Sequence, residues 1–226
     1  MEQAIRRQEQ LQAKMQREID SIKAIPEKIT VLFLAANPVD THRLRLDQEA
    51  RSIQEKIRLS EYRDSVRFES RWATKASDIL QAINETNPTV VHFSGHGAGT
   101  GELVLENPDG TAKFVSADAI STVMATFSDT IRLIVFNACF SDTQAANVVE
   151  HIEAAIGTVD SIPDETARTF AAQLYSSIGF GHSLKKAFDQ AKAELILEGI
   201  PGEDIPQLYC RPDVDPDNMV LVQPNT

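Results

Sequence analysis

Two residues, Cys139 and His96, carry the chemistry this sequence can perform. Cys139 follows the apolar run Ile131-Arg132-Leu133-Ile134-Val135-Phe136, in the polar turn Asn137-Ala138-Cys139-Phe140-Ser141-Asp142. His96 stands between two glycines at the end of a second run, Val90-Val91-His92-Phe93-Ser94-Gly95-His96-Gly97. Short apolar runs closed by turn residues read as strands buried on both faces. Two neighbouring strands that deliver this thiol and imidazole to one sheet edge would pair a nucleophile with its acid/base. A helix start just after Cys139, a nearby imidazole and an exposing turn would each favour the thiolate. The sulfur would then attack a peptide carbonyl, and His96 would protonate the departing amine. An oxyanion needs two fixed N–H donors. Those of Gly97 and Cys139 are the natural pair, because glycine lets backbone approach closely.

Blander readings exist for each residue. A lone cysteine at a strand end is commonly a small buried hydrophobe, and Cys210 reads that way. Nothing about core packing asks for glycines on both sides of His96, however. His92 lies inside its strand and reads as structural, while His151 and His182 sit at helix ends. No Cys or His pair shows ligand spacing, so no metal is expected. Ser94-Gly95-His96-Gly97 is not followed by Gly-Lys-Ser/Thr, so no phosphate loop and no cofactor are expected either.

The elements that must position this pair alternate between strand and helix. Ile29–Ala36 reads as a buried strand, and Leu46, Ala50, Ile53 and Ile57 mark one helix face. Val66, Phe68, Ser70 and Trp72 alternate as a second strand, and Thr74 can cap a helix carrying Ile79, Leu80 and Ile83. Such alternation implies parallel pairing with helices on both sheet faces. Residues 102–106 and 113–116 flank Asn107-Pro108-Asp109-Gly110 and read as an antiparallel hairpin on the rim. Ser116 caps a helix through Phe127, and another helix follows Cys139 to about His151. Ala154–Val159 is a fifth strand. Asp164 can cap the helix over 165–178, Ser183 starts another to about Leu197, and Gln207–Cys210 is an edge strand. The Pro- and Asp-rich final residues read as mobile.

Residues 26–226 form one domain of ordinary composition, with 42% hydrophobic and 24% charged residues in 226. Residues 1–25 differ. Ala4, Leu11, Met15 and Ile22 form a thin apolar seam on one helix, which Pro26 stops. That seam suits packing on the domain, self-association or docking on a partner. The net charge of −11 argues against nucleic-acid binding, which wants a basic face. Two distant cysteines fit a reducing, cytoplasmic setting, and no apolar run is long enough to span a membrane.

With these residues in view, the chain resembles the bacterial CHAT proteins of the caspase–separase clan. Val90–Gly97 with Gly101-Glu102-Leu103-Val104-Leu105-Glu106 is similar to their histidine segment, and Leu133–Ser141 to their cysteine segment. The 43 residues between His96 and Cys139 are near the roughly 50 of caspases. The stretch from Ile156-Gly157 through Ile162-Pro163-Asp164 to Gly181-His182-Ser183 resembles the region after the dyad. The resemblance covers about residues 28–215. It implies a caspase-haemoglobinase-like three-layer α/β/α sandwich and peptide-bond hydrolysis by the dyad His96–Cys139, with Gly97 and Cys139 at the oxyanion. It also implies that Asn137, two before the nucleophile, lines the pocket for the substrate residue preceding the cut. Relatives selecting basic residues often carry an acid there, so the charge here would have to come from Asp142, Asp160 or Asp164. No arginine is expected where caspases grip an aspartate. The family implies a regulated effector of bacterial defence or cell death, acting on a protein substrate. An activating partner or sensor would order loops 97–101 and 160–164. A non-catalytic interaction module and a hydrolase of small amides are the alternatives.

Overall fold

The computed structural model describes residues 28–222, together with Arg7, Gln8, Gln12, Lys14 and Met15. Apart from those five positions, the seam expected over residues 1–25 lies outside the described residues. The strands are β1 (Ile29–Ala35), β2 (Val66–Arg71), β3 (Val90–Ser94), β4 (His96–Ala98), β5 (Glu102–Glu106), β6 (Ala112–Ser116), β7 (Leu133–Asn137), β8 (Ala154–Thr158) and β9 (Pro206–Cys210). The helices are α1 (Leu46–Leu59), α2 (Asp78–Thr86), α3 (Ala117–Ala125), α4 (Asp142–Val148), α5 (Asp164–Gly179) and α6 (Leu184–Glu198).

Because side chains alternate along a strand, each central strand feeds two cores. Ile29, Val31, Phe33 and Ala35 of β1 pack with residues of α1, α5 and α6, such as Ile53, Tyr175 and Ala187. Leu32 and Leu34 pack with residues of α2, α3 and α4, such as Ile83, Met124 and Ala145. The result is three layers, α/β/α. The sheet runs β2-β1-β3-β7-β8-β9, parallel except for the reversed edge strand β9. Its strand order turns around between β1 and β3, and open α/β sheets bind ligands beyond the carboxyl ends of such strands. β3 and β7 are hydrogen-bonded neighbours, with Ser94 opposite Asn137. His96 and Cys139 therefore each stand two residues past a paired position, at the same edge.

The rim hairpin gains a strand not read from the sequence. β4, containing His96 itself, pairs antiparallel with β5, so the small sheet is β4-β5-β6. Ser116 caps α3 by accepting the N–H of Ala119, and Ser183 caps α6 by accepting that of Lys186. Other expectations are corrected. Thr74 does not cap α2; its hydroxyl donates to the Arg71 carbonyl, and Asp78 instead accepts the Lys75 N–H. The helix after Cys139 stops at Val148. Asp164 does not cap α5, since Pro163 holds that position, and its carboxylate accepts the N–H of Arg45 across the fold. As far as Val222 the tail is packed rather than loose: Met219, Leu221 and Val222 are buried, and the Leu184 N–H donates to the Met219 carbonyl. Four apolar residues at 219–222 outweigh the preceding prolines and aspartates.

Packing is close where β8 meets the start of α4. A Cβ on Gly157 would lie 2.5 Å from the Ser141 carbonyl oxygen and 2.8 Å from the Ala145 methyl. Gly157→Ala should lower the unfolding free energy by about 1–3 kcal/mol in urea titrations, the usual cost of overpacking. Gly99→Ala, where nothing lies within 4 Å of a Cβ, should leave it nearly unchanged.

Candidate active site

The site is assembled from the chain segments that leave the carboxyl ends of four parallel strands. Leu44, Arg45 and Leu46 come after β1, Gly95 and His96 after β3, Cys139 after β7, and Ile162 and Asp164 after β8. Together with Glu49, Ser94, Asn137, Ala167 and Arg168 they line one cleft.

His96 is half-buried, and its Nε2 lies 2.6 Å from the carbonyl oxygen of His42. A carbonyl only accepts, so Nε2 carries the hydrogen and the neutral ring keeps its lone pair on Nδ1. The strand after His96 presses on the main chain of Cys139. A Cβ on Gly97 would sit 1.9 Å from the Cys139 carbonyl oxygen, so only glycine fits. Gly95 is constrained likewise, with the Ala36 carbonyl 2.6 Å from a built Cβ.

The turn holding Cys139 is fixed from behind. Phe140 adopts φ 54°, a left-handed conformation costing about 1–2 kcal/mol outside glycine. It persists because its neighbours over-determine it. Buried Ser141 donates to the Phe136 carbonyl at 3.0 Å and accepts the Thr158 N–H at 3.0 Å. The Thr158 hydroxyl donates to the Ala138 carbonyl at 2.5 Å. On the open side the Phe140 N–H donates to the Asp160 carbonyl at 3.3 Å. The Cys139 sulfur lies 3.6 Å from the Ser161 hydroxyl, its hydrogen-bond partner among the described residues. Sulfur and imidazole thus share the cleft without a direct hydrogen bond, and apo sites often tighten only around substrate.

The remaining sequence candidates divide. Asn137 and Asp164 line the cleft. Asp142 opens α4 and faces Tyr209, whose phenol is pushed up by burial and then by the Asp142 charge. Asp160 turns its carboxylate onto the Ser161 N–H at 2.6 Å. Neither Asp142 nor Asp160 is among the cleft residues. Contrary to expectation, two arginines, Arg45 and Arg168, do line it.

The residue sequence reasoning missed is Glu49. It is 5% exposed, yet its carboxylate accepts from three side chains. These are His92 Nε2 at 2.9 Å, Ser94 Oγ at 2.6 Å and Asn137 Nδ2 at 2.7 Å. His92 is fully buried, and its Nδ1 lies 3.1 Å from the Tyr175 hydroxyl. The signal lay in the helix pattern: Glu49 is three residues after Leu46 and four before Ile53, on the apolar face. A carboxylate in that place needs partners.

The chain belongs to the CHAT domain family, which it matches over residues 2–202. It is 25% identical over 165 residues to a Roc-COR-CHAT protease from an unknown prokaryotic organism. That similarity covers 67% of this chain and 16% of the relative's length. Among solved structures, caspase-1 from Spodoptera frugiperda shares the fold with TM-score 0.56 and 12% identity, covering 83% of this chain and 87% of the other. The Arg-specific cysteine proteinase gingipain R gives TM-score 0.56 and 12% identity, covering 91% of this chain and 52% of the other. The fold is therefore that of the caspase-like cysteine proteases. No helix among the described residues is long and apolar enough to cross a membrane.

Two measurements follow from this geometry. Burial, and then the Asp215 charge, push the Cys210 thiol up, so iodoacetamide at pH 8 should modify Cys139 first, as read by peptide mass spectrometry. Burial, and then the Glu49 charge, hold the Tyr175 phenol well above its ordinary range. Its protonated form is favoured on folding, so the stability it contributes is complete below about pH 10 and lost as pH rises beyond. Tyr175→Phe should flatten the alkaline limb of the stability curve while costing about 1 kcal/mol near pH 7.

Proposed function

We propose that this chain is a cysteine endopeptidase that uses Cys139 as nucleophile and His96 as general acid/base. The observation that carries the reading is the His96 anchor. With Nε2–H held by the His42 carbonyl, Nδ1 is the free base in a cleft that also contains the sulfur. Nδ1 takes the thiol proton and the thiolate adds to the scissile carbonyl. The N–H groups of Cys139 and Gly97 receive the oxyanion, and Nδ1–H then protonates the leaving amine. Water activated by the same nitrogen hydrolyses the thioester and frees the sulfur. Asn137 and Asp164 border the pocket for the substrate residue. No step asks for a cofactor or a metal.

We further propose a cytoplasmic, regulated effector of bacterial defence or cell death, switched by a sensor or partner, with residues 1–25 available for assembly. Two observations support control. The sulfur's hydrogen-bond partner among the described residues is a loop serine and not the imidazole. In the relative named Roc-COR-CHAT protease, the matched region is a small part of a much longer chain.

The test is cleavage of a protein-derived peptide library, with products mapped by mass spectrometry. Cys139→Ala should abolish cutting, and His96→Ala should slow it about 10²–10⁴-fold. Equal cleavage by wild type and Cys139→Ala would remove the sulfur from the mechanism. His42 acts through its main chain, so His42→Ala should hold kcat/KM within about threefold.

A further inference from the structure

We propose that the cleft selects lysine or arginine immediately before the cut, and that the selecting charge is Glu49, carried by α1 behind Asn137. This rests on the endopeptidase reading and names the substrate class of that same site. Donor and acceptor bookkeeping fixes how the Asn137 amide sits. Asn137 Nδ2 donates to Glu49 Oε1 at 2.7 Å and to the Ala167 carbonyl at 3.3 Å. Both partners are pure acceptors, so the amide has one possible orientation. Its Oδ1 is left without a protein partner among the described residues, on a side chain that lines the cleft. What the pocket floor offers a substrate is an acceptor.

The charge behind that acceptor follows from the same bookkeeping. The Tyr175 phenol is kept protonated, and His92 Nδ1 is its hydrogen-bond partner. With the Glu49 carboxylate accepting from Nε2, that nitrogen carries a hydrogen, and the phenol O–H donates to Nδ1. Ser94 and Asn137 are neutral donors. The network therefore carries the whole negative charge of Glu49, held away from water where screening is weak.

The other charges sit at the mouth. Arg45 and Asp164 are exposed and Arg168 is half-buried, its Nη1 donating to Gln48 at 2.8 Å. These leave one net positive charge at the rim, where water screens it, against the buried negative charge of Glu49. A long side chain ending in a cation spans the cleft to Asn137 Oδ1 and meets the buried charge behind it. A short carboxylate would face an amide oxygen backed by a carboxylate.

The experiment has two arms on the full chain. In the first, the rate of Cys139 alkylation by iodoacetamide is followed with millimolar agmatine, a mimic of the arginine side chain, or with neutral n-butylurea. Agmatine should slow alkylation about threefold at twice its dissociation constant while butylurea does not, and Glu49→Gln should abolish the protection. If Glu49→Gln does not fold by circular dichroism, Asn137→Leu, which removes the acceptor while keeping the carboxylate covered, is read instead with the same expectation. Equal effects of the two compounds, or none, would overturn the proposal, as would protection by glutarate in their place. In the second arm, cut sites in the peptide library should follow lysine or arginine, and cuts after another residue class would overturn it. A library left uncut is read as an enzyme awaiting its activating partner, and the alkylation arm then decides the pocket's preference.

Discussion

The structure depends on a buried carboxylate satisfied by three side-chain donors. Glu49 collects three hydrogen bonds, from His92 and Ser94 of β3 and from Asn137 of β7. Those are the two strands that carry the candidate acid/base and nucleophile. Charge-assisted bonds of this kind are short and strong, whereas an unpartnered carboxylate in the same place would cost several kcal/mol. The network accordingly does two things at once. It fixes α1 against the sheet edge, and it sets the register in which His96 and Cys139 emerge side by side.

Around that anchor, the site is built mostly from main chain. The His96 ring is oriented by a peptide carbonyl, and the Cys139 turn is clamped by Ser141 and Thr158 against the carbonyls of Phe136 and Ala138. Three glycines mark where backbone segments lie too close for any side chain, with Gly95 against Ala36, Gly97 against Cys139 and Gly157 against Ser141. Backbone-to-backbone packing of this density allows little drift, as preorganised chemistry requires. The left-handed Phe140 is the strained piece, next to the sulfur, where strain is commonly found in catalytic turns.

Much of this was legible in the sequence, for identifiable reasons. β1, β3 and β7 are buried on both faces, so their apolar runs are nearly unbroken, and α1 shows its face through Leu46, Ala50, Ile53 and Ile57. The rim hairpin announced itself through Asn107-Pro108-Asp109-Gly110, and the caps through Ser116 and Ser183. What was hidden depends on tertiary contact. β4 is three residues long and exists because β5 pairs with it. The role of His42 is carried by its carbonyl, an atom every residue has. Glu49 looked like one acid among 33 Asp and Glu until its helix face was matched to the strands it covers. Asp164, read as a cap, instead holds the Arg45 N–H, a pairing 119 residues apart that no local pattern encodes.

The bond from the Phe140 N–H to the Asp160 carbonyl ties the turn bearing the sulfur to a surface loop. That loop continues through Val159, whose N–H reaches the Ile205 carbonyl beside β9, and enters α5 within four residues. The sheet edge at β9, the start of α5 and the cysteine turn are thus mechanically in series. A force applied at 159–161 is transmitted to the peptide plane that follows the sulfur, with only one hydrogen bond and a few rotatable bonds between them. Rigid strands hold the reacting residues in place, and this short lever is where the outside of the molecule can address them.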